Sequence, residues 1–144
     1  MTIEEKKNIL NHYRWVKQQA DSLELEIEAL RQSQMSPSAP VGNGDHIQGG
    51  KIKDPMLDYA IKLDKLEHEL LKFRSERIDL CAEITRAIKA MDDDKLKLIL
   101  FYKYINCMSW DEICERMSYE RSWIFELHGE ALATIELKER TKTD

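Results

Sequence analysis

The sequence predicts an all-α protein: a long, coiled-coil-like helical hairpin at the N-terminal end, then a small tri-helical domain. Three observations carry that expectation. First, of the eight Gly and Pro residues in 144, seven fall between Pro37 and Pro55, and only Gly129 lies outside. Sandwiches and barrels need turn residues about every 8–12 positions. Residues 1–36 and 56–128 contain no Gly or Pro, which excludes an all-β fold and any Gly-rich phosphate loop leading into a helix. Second, apolar residues recur at alternating spacings of 3 and 4 on both sides of the Gly/Pro cluster. Third, helix-start signals stand at Asp54-Pro55, at Asp92-Asp93-Asp94 and at Ser109.

The first helix is expected over Ile3–Arg31. Its stripe is Ile9, Tyr13, Val16, Ala20, Leu23, Ile27 and Leu30, the a/d pattern of a coiled-coil seam. Residues 33–54 hold the punctuation and predict a flexible loop. Asp54 is a good N-cap, and Pro55 suits the first helical position because its missing N–H has no partner there anyway. A second helix is expected over residues 55–91, with the stripe Met56, Tyr59, Leu63, Leu66, Leu70, Phe73, Arg77, Leu80, Ile84, Ala87 and Met91. Two long helices with matching stripes bury them most simply as an antiparallel hairpin. A two-helix core is small, so the hairpin is expected to dimerise or to pack on the C-terminal part.

Residues 92–144 form the second predicted domain. The three aspartates end one helix and cap the next, because carboxylates satisfy first-turn N–H groups and suit the helix dipole. A third helix over Lys95–Ile105 is apolar on most faces and should be the domain's core. Ser109-Trp110-Asp111-Glu112 is a capping box. It opens a short helix, which Ser118-Tyr119 breaks, and a longer helix starts near Glu120–Arg121 with Ile124, Leu127, His128, Ala131 and Ile135 facing inward. The order is helix, tight turn, helix, preceded by a supporting helix, which is the layout of a helix-turn-helix domain.

The stretch Glu112-Ile113-Cys114-Glu115-Arg116-Met117-Ser118-Tyr119-Glu120-Arg121-Ser122-Trp123-Ile124 resembles the helix-turn-helix of region four of bacterial primary sigma factors, with the pattern E-I-A-x-x-L/M-G-x-S-x-x-x-V. More narrowly, Tyr104-Ile105, then Met108-Ser109-Trp110-Asp111-Glu112-Ile113, and then Leu127-His128-Gly129-Glu130-Ala131-Leu132 resemble the RinA/ArpU-like late-transcription regulators of phages. In that group Y-I-x-G-x-S-W-x-E-I precedes the turn and L-H-x-x-A-L follows it. The resemblance implies a regulator that binds promoter DNA with the first turns of the last helix in the major groove. Arg121, Ser122, Phe125 and Glu126 occupy those positions: Arg121 for guanine or phosphate, Ser122 for either, Phe125 for a thymine methyl and Glu126 for a cytosine amino group. Trp110, Ile113, Ile124, Leu127 and Leu132 read as core, Trp123 as partly exposed, and His128 as a packed histidine with one hydrogen bond. Two departures stand out: Ser118 replaces the turn glycine and Glu120 the serine N-cap. The partners implied are double-stranded DNA, host RNA polymerase and a second copy of the chain, in the cytoplasm of a bacterial host.

Charge sets a condition on that expectation. The chain carries a net −5, and residues 92–144 hold eight Lys or Arg against twelve Asp or Glu, a net −4. Phosphate contacts supply most non-specific DNA affinity, so the domain should bind DNA weakly unless dimerisation or polymerase recruitment assists. The same charge keeps an alternative open: a helical interaction protein of the phage packaging or anti-regulator type, whose helix-turn-helix docks a protein. No nucleophile lies beside a base and no ligand cluster occurs, so no enzyme activity, cofactor, metal or small-molecule substrate is expected; His46 lies alone in its loop. Cys81, Cys107 and Cys114, odd in number and without CxxC spacing, are expected as small buried hydrophobes of a reducing interior. No apolar run approaches the roughly 18 residues of a membrane span, and the charged N-terminus lacks a secretion signal's apolar core.

Overall fold

The computed structural model describes residues 1–35 and 54–139, and among these it is all-helical, with no strand. The elements are α1 (Ile3–Met35), α2 (Pro55–Lys89), α3 (Asp94–Leu100), a π-helical turn (Phe101–Ile105), α4 (Trp110–Met117) and α5 (Arg121–Thr134). Helix α1 outruns its expected end at Arg31, because nothing that breaks a helix occurs before Met35. Of the predicted loop 33–54, Ser33–Met35 are helical and Asp54 caps α2; residues 36–53, His46 among them, lie outside the described residues. Asp54 Oδ1 accepts from the N–H groups of Met56 (3.0 Å) and Leu57 (3.4 Å). At the start of α1, Thr2 and Glu5 form a capping box that the sequence reading missed. Thr2 Oγ1 accepts from Glu5 N–H at 3.2 Å, and Thr2 N–H donates to Glu5 Oε2 at 2.8 Å.

The chain divides into two compact units. One comprises Gln18–Arg74, where α1 and α2 run antiparallel. Ala20, Leu23 and Ile27 of α1 bury against Leu70 of α2, flanked by Leu63, Leu66 and Phe73. Arg74 Nη2 meets Glu24 Oε1 at 2.6 Å and Arg31 Nη2 meets Glu67 Oε1 at 2.9 Å. Exposed pairs of this kind contribute at most about 1 kcal/mol each, but they mark the register of the two helices. That register sets Met56 opposite a position beyond the end of α1, so the expected first member of the seam is 70% exposed rather than buried.

The other unit comprises Met1–Lys17 and Ser75–Asp144. Its core draws on every element: Leu10, Tyr13 and Val16 from α1, Leu80, Ile84 and Ile88 from α2, Leu96, Ile99 and Leu100 from α3, Ile113 from α4, and Ile124, Leu127, Ala131 and Leu132 from α5. Ile135, just past α5, is also buried. Lys6 Nζ donates to the carbonyl oxygens of Leu132 (2.9 Å) and Ala133 (3.2 Å), pinning α1 to the C-terminal end of α5, where a cation suits the helix dipole. Helix α2 stops at Lys89 rather than at residue 91, and Asp93 caps α3 by accepting from Lys95 N–H at 2.9 Å and Leu96 N–H at 3.5 Å.

The expected helix Lys95–Ile105 is not uniform. It passes at Phe101 into a π turn, with Asn106 N–H bonded to the Phe101 carbonyl at 2.8 Å. Leu98, expected in the core, is 41% exposed, and Trp110 is half-buried rather than buried. The three cysteines are free thiols of intermediate burial, so none is the fully buried hydrophobe expected. Ser109 Oγ accepts from Glu112 N–H at 3.2 Å as the first N-cap bond of α4.

Ser118 and Tyr119 do form the break between α4 and α5. Ser118 takes the left-handed conformation (φ 58, ψ 40), which lets the Ser118 and Tyr119 N–H groups both reach the Cys114 carbonyl. A side chain there carries a steric cost that glycine avoids. Gly129 is the opposite case: it sits inside α5, and a Cβ added to it meets nothing within 4 Å. Ser118→Gly and Gly129→Ala are therefore each expected to stabilise the fold by about 1 kcal/mol. Urea unfolding followed by circular dichroism measures both; a lower midpoint for Ser118→Gly contradicts the left-handed turn.

Candidate nucleic-acid interface

Helix α5 buries one side and leaves the other in water. Ile124, Leu127, Ala131 and Leu132 face the core, so the complementary positions of its first turns point outward. Arg121, Ser122, Phe125 and Glu126 fall there, and all four are exposed on one continuous stretch, Phe125 at 45%. Glu120 is the N-cap residue in extended conformation, and its side chain makes no capping bond. The first-turn N–H groups of α5 are thus open at the end where the helix dipole favours an anion. Trp123, beside the buried face, is 41% exposed.

Sequence reading did not reveal how these residues are joined to the rest of the surface. The Arg121 guanidinium lies 5.6 Å from the Phe125 ring centroid, Phe125 meets Trp110 edge-on at 5.1 Å, and Lys103 Nζ lies 4.4 Å over Trp110. The result is a ladder of cation, aromatic, aromatic and cation that runs from the start of α5, across the first turn of α4, to the π turn. Lys103 and Trp110 are separated from Arg121 by more than a helix in sequence, so no spacing rule pairs them. Arg121 Nη1 also meets Asp111 Oδ1 at 3.0 Å, with both side chains mostly exposed, so this partner holds it weakly.

Behind the ladder lies His128, one turn after Phe125 and turned inward. Its ring stands 4.8 Å from Trp110, and its Nε2 is 2.7 Å from the Tyr104 hydroxyl. The π turn carries Tyr104, which is buried, on the side that reaches this contact. Burial drives the Tyr104 pKa up to about 12, and burial, aided by the charges of Lys7 and Lys103, drives the His128 pKa down to about 4. The contact therefore joins two neutral groups. Its recorded contacts are the hydrogen bond to Tyr104 and the packing against Tyr104 and Trp110. No group of His, Cys, Asp and Glu able to hold a metal ion occurs among the described residues, and no helix is long and apolar enough to cross a membrane.

His128 has a consequence for pH. In the unfolded chain it takes up a proton near its ordinary value of 6.5, and in the folded protein only near 4. Between those values the unfolded state binds more protons. The contribution is complete above about pH 6.5 and is lost progressively as pH falls toward 4. The urea midpoint should drop between pH 7 and pH 4.5. In His128→Gln, which keeps an acceptor for the Tyr104 hydroxyl, that drop should shrink; an equal drop in both proteins contradicts the assignment.

A profile for one protein family, described as a protein of unknown function (DUF1492), matches residues 36–136. This span includes α2 to α5 with the whole ladder and extends just past the end of α5. No curated protein and no solved structure matches the chain. The matched span covers well over half of the sequence, and the chain belongs to the DUF1492 family.

Proposed function

We propose that the protein is a sigma region-four-like transcription regulator of the phage late-regulator type, which reads promoter DNA with the exposed turns of α5. The observation that carries this reading is one of backbone conformation. Cys107 (φ 54) and Ser118 (φ 58) are the non-glycine residues with positive φ among those described. Both fall where the patterns the sequence resembles have glycine: Cys107 in Y-I-x-G-x-S-W and Ser118 in the helix-turn-helix. A side-chain-bearing residue rarely adopts this conformation, so the agreement of two such positions with two pattern glycines supports a shared backbone course. The exposed set Arg121, Ser122, Phe125 and Glu126 gives that backbone a face for base edges. Host RNA polymerase and a second copy of the chain are the further partners proposed, in the cytoplasm of the bacterial host.

Two observations favour a second reading, in which the same surface docks a protein and the molecule is a non-enzymatic interaction module. Asp111 already occupies the Arg121 guanidinium, and residues 92–144 are acidic overall. A gel-shift assay separates the two. On DNA flanking its own gene, the protein should form a complex preferred over random sequence, and Arg121→Ala and Ser122→Ala should each reduce the preference about tenfold, the scale of a lost base contact. No preference at low salt, with regulation unaffected by both substitutions, selects the docking reading.

A further inference from the structure

The C-terminal segment is acidic overall, and the fold adds cations to its surface from elsewhere in the chain. Lys7, Leu10 and Arg14 are spaced 3 and 4 on α1 and so share one face; Leu10 is fully buried and lies in the same compact unit as α3, α4 and α5. Burial of Leu10 carries Lys7 and Arg14 to the edge of that core, and both are half-buried, the packed-stem state of a long cationic side chain. Lys6, the neighbour of Lys7, is tied to the end of α5 by its two carbonyl bonds.

Contacts bring Lys7 and Lys103 to the same part of the surface: Lys6, beside Lys7, bonds to the Leu132 carbonyl one turn beyond His128, and the His128 ring stands 4.8 Å from Trp110, over which Lys103 lies at 4.4 Å. Lys7 and Lys103 both act on His128, and the Arg14 charge acts on Lys103, whose pKa burial and that charge lower. Among the described residues none of the three cations is held in an ion pair. Lys103 is at the same time the far rung of the ladder that begins at Arg121.

We propose that Lys7, Arg14 and Lys103 form a clamp for the phosphate backbone of duplex DNA, continuous through Trp110 and Phe125 with the reading face of α5. The inference rests on the DNA-reading function proposed above and assigns that function a source of affinity in α1. The spacing suits a duplex: seven residues of helix separate Lys7 from Arg14 by roughly 10 Å, about three base-pair steps of some 3.4 Å. Close, unneutralised cations repel one another, and a phosphate between them relieves the repulsion, so the clamp is strongest toward a dense polyanion.

The test uses the full chain and a random-sequence duplex, with binding followed by fluorescence anisotropy across a salt series. Each lost phosphate contact should reduce the slope of log affinity against log salt by about 0.9. Lys7→Gln/Arg14→Gln should therefore lose nearly 2 from the slope, and Lys103→Gln about 1. Lys62→Gln, the same charge change on the other compact unit, should lose nothing. Circular dichroism checks that each variant is folded. An unchanged slope in the folded Lys7→Gln/Arg14→Gln protein overturns the clamp, as does absence of any binding at low salt. Sequence reading is measured separately, by the wild-type affinity ratio between DNA flanking the gene and random DNA. A ratio of one with a clamp-dependent slope removes the sequence-reading function and leaves the clamp standing.

Discussion

Burial of the apolar face of the three C-terminal helices is the constraint on which the remaining features depend. Leu96, Ile99 and Leu100 of α3, Ile113 of α4, and Ile124 and Leu127 of α5 are buried in one compact unit with Leu10, Tyr13 and Val16 of α1 and Leu80, Ile84 and Ile88 of α2, which are buried too. Burying a side chain of this size stabilises by about 1.5–3 kcal/mol, so leaving the face in water is not an option for a domain of this size. The cover is made from distant parts of the chain. It therefore brings distant charges with it, and the electrostatic character of the surface around α5 is decided by which hydrophobic residues happen to cover the core.

The long helices were legible because each repeats its apolar residues with a near-helical period. Tyr13, Val16, Ala20, Leu23 and Ile27 are all buried as their spacing requires. The errors lie where a strict 3-and-4 alternation drifts around a straight helix, by about 20° per heptad. Ile88 is fully buried while the expected Ala87 is only half-buried, and Leu10 is fully buried beside a half-buried Ile9. Asp54, Asp93 and Ser109 were legible as caps because their chemistry is local. The π turn at Phe101–Ile105 was not, because nothing in Phe-Tyr-Lys-Tyr-Ile distinguishes it from an α-helix.

The candidate interface divides in the same way. Exposure of Arg121, Ser122, Phe125 and Glu126 follows from the buried residues that alternate with them on α5, so a helical period predicts it. The Arg121 bond to Asp111 and the contacts from Phe125 to Trp110 and from Trp110 to Lys103 depend on how α4 and the π turn cross α5. A crossing is a property of packing, and the sequence of one helix carries no record of it. The resemblance to region-four patterns supplied part of what periodicity lacked, since its turn glycine falls at Ser118, which takes a left-handed backbone; the left-handed Cys107 was not read from the sequence.

Net charge is a poor guide to the function of such a surface. At about 0.1 M salt the field of an exposed charge fades over roughly 10 Å, so a bound duplex responds to the charges it lies against and little to the total. Of the acidic residues that make 92–144 negative, Asp93 is engaged in capping α3, Asp94 is near Lys97 at 3.7 Å, and Asp111 is paired with Arg121. Lys7, Arg14 and Lys103 have no such partner among the described residues, and two of the three lie outside the segment whose charge is counted. A segment defined along the chain and a surface defined in space are different sets of residues. Where a helix from the other end of the chain completes the core, the charge that governs binding is that of the surface.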